Sequence, residues 1–130
     1  MNILTIDELE DLCAKYQKLL RIQDWNIDIK IVHPSELEEK NTLAHVHARL
    51  HSMYATIQFA DPEVMKDVGN MHQTLIHELL HVVFHGLEPS TENAKIYDSL
   101  WESGIDRTAN AIYQLAVAVD ADAGANDDNS

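Results

Sequence analysis

Two imidazoles and a carboxylate stand at fixed spacing in the run Thr74-Leu75-Ile76-His77-Glu78-Leu79-Leu80-His81-Val82-Val83-Phe84-His85-Gly86. The apolar residues of this run recur at helical spacing. In a helix, His77 and His81 are four apart and share one face. Their ring nitrogens can then meet at one point. Two such nitrogens, a third protein ligand and a position left for water form the donor set of a catalytic Zn²⁺ ion. Glu78, beside the first His, can reach that water and accept its proton. The H-E-x-x-H spacing therefore suits metal-assisted hydrolysis. Leu75, Ile76, Leu79, Leu80, Val82, Val83 and Phe84 make the helix apolar nearly all round, which predicts a buried central helix. Two His and a Glu on such a helix are costly unless paired or metal-bound.

A third ligand has to come from elsewhere. His85 follows His81 by four residues, but on a straight helix it sits about 6 Å further along. Three consecutive residues of that spacing do not converge on one tetrahedral ion, so His85 reads as a helix C-terminal His favoured by the dipole. Glu102, in Trp101-Glu102-Ser103-Gly104-Ile105-Asp106, is the better candidate. It lies in an amphipathic final helix that can fold back across the motif helix. Asp106 is four residues on, on the same face, placed to hold a ligating His by its other ring nitrogen. Gly104 is read as allowing close approach of the two helices at this crossing.

The remaining elements must position these groups. Thr5-Ile6-Asp7-Glu8 is a capping box opening an amphipathic helix read from Ile6 to Ile22, with Cys13 on its apolar stripe. Trp25 to Val32 alternates as a strand burying Trp25, Ile27, Ile29 and Ile31. Ser35 to Glu38 can cap a helical turn, and 36–41 reads as a short helix or loop. Leu43 to His51 alternates again, with Ala44, Val46, Ala48 and Leu50 on one face and His45, His47, Arg49 and His51 on the other. A helix over 42–52 competes there. If it is a strand, Ser52 and Met53 join it to a third strand, Tyr54 to Phe59, as an antiparallel hairpin. The three His read as a solvated strand face, with H-x-H as a possible metal pair and one His beside the cleft as a further reading. Asp61-Pro62-Glu63 is a helix start, ending near Gly69. Asn70 caps the motif helix, which ends at Gly86. Ser90 or Thr91 caps a last helix to Val119. The fold class is α+β: an N-terminal helix, a small antiparallel or mixed three-stranded sheet, the motif helix and a long Glu-bearing C-terminal helix.

The 130 residues predict one domain over 1–119 and an acidic, disordered tail over 120–130. The net charge of −13 repels phosphate backbones, so nucleic acid is not expected as a direct partner. No apolar run reaches the length of a membrane span, and no signal peptide is visible. One Cys allows no intrachain disulfide. A cytoplasmic location follows as the expectation.

His77-Glu78-x-x-His81 followed by Glu102-x-x-x-Asp106 resembles the gluzincin branch of zinc metallopeptidases, the thermolysin-like pattern. The order of helix, strand, further strand and motif helix is similar to small phage- and bacterial-type zincins. The resemblance covers roughly Trp25 to Ile112, and its specific part is the motif residues. The metzincin branch is excluded by Phe84 and Leu87. The resemblance implies a minimal zincin core, Zn²⁺ held by His77, His81 and Glu102, Glu78 as general base and Asp106 behind the ligands. It implies a peptide or protein substrate extended along an edge strand, expected to be Tyr54 to Phe59. An oxyanion stabiliser would have to be Tyr54, Tyr97 or a strand His. So small a domain leaves the cleft open on one side, where a protein partner could complete it. A zinc-binding interaction module with a relic protease site, and a hydrolase acting on a non-peptide amide, are the alternatives. SprT-like proteases share the motif helix, but the charge argues against their DNA contact.

Overall fold

The computed structural model describes residues 3–37, 42–85 and 94–128. It is α+β, with three helices and a three-stranded mixed sheet. Helix α1 spans Ile6–Leu19 and opens with the predicted capping box, Thr5 and Glu8 each bonding the other's backbone N–H. It stops before Ile22 because Arg21 turns left-handed at φ 60°, the conformation that commonly ends helices. The Gln17 side-chain amide donates to the Ile22 and Trp25 carbonyls at 3.2 and 2.8 Å, fixing the turn into the first strand.

Strand β1 (Asn26–Val32) is followed by a 3₁₀ turn at Pro34–Glu36. This turn is capped by His33, whose ring nitrogen accepts from the Ser35 N–H, rather than by Ser35. The rest of the predicted 36–41 segment lies outside the described residues beyond Leu37. Strands β2 (Ala44–Arg49) and β3 (Tyr54–Ala60) form the antiparallel hairpin. The competing helix over 42–52 is not what the chain adopts. Arg49 pairs with Tyr54, so the connection is Leu50–Met53, longer than the predicted Ser52-Met53 link. It closes through the Met53 N–H on the Leu50 carbonyl, with Met53 at φ 51° where a Gly would be unstrained.

The sheet order is β1-β3-β2, with β1 parallel and β2 antiparallel to β3. Strand β3 is therefore central and not the expected edge. Its burial agrees: Ala55, Ile57, Phe59 and Ala60 are all buried. The inner face carries Ile29, Ile57 and Val46 in one row across the three strands, packed on the helices. The outer face carries Lys30, Gln58 and His45 in one row and Asp28, Thr56 and His47 in the next. The apolar face drives the packing, and the polar face needs no cover.

The segment after Asp61-Pro62-Glu63 is one turn, not the predicted short helix. The Asp61 carboxylate accepts from the Glu63 N–H at 2.9 Å, and its carbonyl accepts from Val64 and Met65. Gly69 then takes φ 61°, and a Cβ there would press to 3.1 Å on Leu43 Cδ1. Helix α2 spans Met71–Val83 with Asn70 as its cap. It ends at the Phe84 cap, short of Gly86, which lies outside the described residues, as do Ser90 and Thr91. Helix α3 spans Ala94–Asp128. It runs past Val119 through the segment predicted to be disordered, where Ala121, Ala123 and Ala125 favour helix. None of the described helices is long and apolar enough to cross a membrane.

The three helices meet at His72. Its Nε2 shares a 2.6 Å hydrogen bond with the Tyr16 hydroxyl of α1, and its ring meets Tyr113 of α3 edge-on at 5.0 Å. Burial lowers the pKa of His72, as does nearby Lys15, with Asp120 opposing. Burial, Asp120 and Tyr113 raise that of Tyr16. A His held neutral in the folded chain binds its proton more readily when unfolded. Its contribution is therefore intact above the ordinary His pKa of about 6.5 and is lost as pH falls below it. The thermal midpoint of the wild-type chain should drop more steeply between pH 7 and 5 than that of His72→Gln. Equal slopes would contradict the clamp.

Gly104 departs from its predicted role among the described residues, since an added Cβ would meet none of them within 4 Å. It is not a close-approach site, and it costs helix stability without a packing return. Gly104→Ala should stabilise the chain by about 0.5–1 kcal/mol in denaturant unfolding. Destabilisation would show a close contact at this crossing after all.

Candidate metal centre

Helix α2 is buried through Met71, Leu75, Ile76, Leu79, Leu80 and Val82. What remains is a polar stripe at helical spacing, Asn70, Gln73, Thr74, His77 and His81, which lines one wall of a cleft of about 940 Å³. The opposite wall is the edge strand β2 with the residues leading into it, Thr42 to Ala48. Helix α3 runs back along α2, so that Tyr113, Asp106 and Glu102 meet His72, His77 and His81 in turn. Ile105 and Ala109 anchor that crossing in the core.

This crossing brings Glu102 onto both motif His residues. Its two carboxylate oxygens lie 3.1 Å from His77 Nε2 and 3.0 Å from His81 Nε2, and the two Nε2 atoms lie 3.2 Å apart. Ligand atoms around a tetrahedral zinc with bonds of about 2.0–2.1 Å stand about 3.3 Å from one another. The donor set and its spacing therefore fit a metal ion: among the described residues, His77, His81 and Glu102 are the group close enough to hold one. Asp106 Oδ1 faces His77 Nδ1 at 3.5 Å, long for a hydrogen bond but on the predicted side of the ring. A hydrogen bond from Nδ1–H to Asp106 would leave Nε2 free to ligate.

Glu78 is the one buried charged residue among those described, and it lines the same cleft. His85 has left the helix axis. It lines the far end of the cleft with its ring edge-on to Trp25 at 6.5 Å, outside the metal-holding group. His45 and His47 also line the cleft, from the strand side. His51 does not. Tyr54 is corrected as a candidate stabiliser. It is paired with Asp28 on the outer face of the sheet, and this hydrogen bond is the main cause of its raised pKa. The side chain of Tyr97 lies outside the described residues. Asn70, Gln73 and Thr74 were not singled out as cleft residues from the sequence, although Gln73, His77 and His81 recur every four residues and thus share a face.

No known protein family, curated protein or solved structure matches the chain.

The geometry predicts about one Zn²⁺ per chain in the purified, zinc-supplied protein. Glu102→Ala should lose it, and His85→Ala should keep it, as read by elemental analysis. Retention in Glu102→Ala with loss in His85→Ala would move the third ligand to the motif segment.

Proposed function

We propose that the chain is a minimal zinc-dependent peptidase of the gluzincin type, acting on an extended peptide or protein segment. The observation that carries this reading is the convergence of His77, His81 and Glu102 to within about 3 Å of one another beside a buried Glu78 in the same cleft. When bound, zinc lowers the pKa of a coordinated water and polarises a carbonyl oxygen.

The chain's own residues supply the rest. The Glu78 carboxylate accepts the proton of the attacking water. It then passes that proton to the departing amine nitrogen, so that the amide C–N bond breaks without expelling an anion. Asp106, whose carboxylate faces His77 Nδ1 at 3.5 Å, would steady that ring from behind the ligands. β2 is the edge strand on the cleft side of the sheet, and an extended substrate would add along it as a fourth strand. This corrects the expected substrate strand from β3 to β2, because β3 is paired on both sides. The open side of the cleft is where a folded partner could seat. A buried lone thiol, Cys13, raised to about 11 by burial and Glu10, has no role in this chemistry and suits a reducing, cytoplasmic setting.

The zinc-loaded protein should cleave members of an unstructured peptide library. Glu78→Gln should bind zinc undiminished yet cut at least about 100-fold more slowly. Undiminished cleavage by Glu78→Gln would contradict its role as the base. No cleavage by zinc-loaded wild type would contradict the peptidase reading.

A further inference from the structure

Three polar residues precede His77 on the cleft wall of α2, and two of them are occupied locally. Asn70 accepts the Gln73 N–H at 3.1 Å as the helix cap, and the Thr74 hydroxyl donates to the Asn70 carbonyl at 2.9 Å. The Gln73 side-chain amide is different. It is half-buried, lines the cleft and hydrogen-bonds to no described residue. A carboxamide offers two donor hydrogens and an acceptor oxygen. Any occupant that covers this one without matching it leaves those groups unpaired, at a real cost.

Its position decides what it can touch. Gln73 stands one helical turn before His77, about 6 Å along the axis. Side chains on the same face of an extended peptide recur about every 6.8 Å. The cleft wall from Asn70 to His81 is roughly 16 Å long, enough for about five extended residues. Gly69 stands just beyond the Asn70 end of this wall, against Leu43. The Gln73 subsite is the next one inward and carries no charged side chain of α2, whereas the α3 side of the metal-holding group carries Glu102 and Asp106.

We propose that Gln73 is a specificity-determining residue, selecting an uncharged hydrogen-bonding side chain, a carboxamide or a hydroxyl, at the substrate position one same-face repeat from the cleaved bond. This rests on the peptidase reading and deepens it by naming a substrate class. Gln73 touches substrate and takes no proton.

The test separates binding from turnover. The zinc-loaded full chain carrying Glu78→Gln is applied to an array of hexapeptides in which each position is varied in turn, and zinc content is measured alongside as a check on the fold. Gln73 should give a preference for Asn, Gln, Ser or Thr at one position. Gln73→Leu should replace that preference with apolar residues, and Gln73→Glu with Lys or Arg, each by about tenfold at that position alone. The Asn/Gln and Ser/Thr peptides distinguish the carboxamide from the hydroxyl. Peptide binding with a profile unmoved by either substitution would overturn the role of Gln73 and leave the peptidase reading standing. No peptide bound by any form, together with no cleavage by wild type, would overturn both.

Discussion

Helix α2 has to pass through the middle of a small domain while carrying two imidazoles and a carboxylate. α1, β2 and α3 all pack on it. Most of its surface is buried against apolar neighbours, where an unmatched polar group is costly. The structure resolves this by giving His72 a hydrogen-bond partner in Tyr16 and by turning the helix's other polar residues toward the cleft. It then supplies a partner there, because α3 returns along α2 and delivers Glu102 between His77 and His81. The three groups are close enough that, without a cation or a shared proton, the carboxylate would be set against two lone pairs. A metal ion satisfies all three together.

The sheet serves that arrangement from the other side. Its inner face is apolar and seats the helices, so its strands hold α2 at a fixed height. Its outer face is polar and solvated. The edge on the cleft side belongs to β2, the strand with three His and Arg in or beside it, the kind of polar composition that edge strands tolerate. The cleft thus runs between an edge strand of the sheet and the helix that carries the two His residues of the metal-holding group. The clamp of Tyr16, His72 and Tyr113 at the far end of α2 ties all three helices together, fixing the crossing that positions Glu102.

Much of this was legible in the residues. The capping box at Thr5, the Asn70 cap, the alternation in β1 and β2 and the four-residue spacing of His77 and His81 are local patterns, and local physics decides them. Glu102 and Asp106 were legible because a helix repeat puts both on one face. The failures were tertiary or sat at element ends. Strand order is not written in alternation, so the residues alone leave β3 readable as an edge, although the His-rich character of β2 points the other way. Asp61-Pro62-Glu63 holds the chemistry of a helix start, yet the chain spends it on one turn before Gly69 redirects the backbone. Gly104 reads as a packing residue only if something packs on it, and no described residue does. The cleft role of Gln73 required knowing which side of α2 was left uncovered.

The central claim is that two imidazoles and one carboxylate hold a single ion with room for water. X-ray absorption at the zinc edge of the loaded full-length chain reads this directly. The account predicts two imidazole nitrogens and oxygen ligands at about 2.0–2.1 Å, with no sulfur shell. A first shell of three or more imidazoles, or a sulfur ligand at about 2.3 Å, would contradict it.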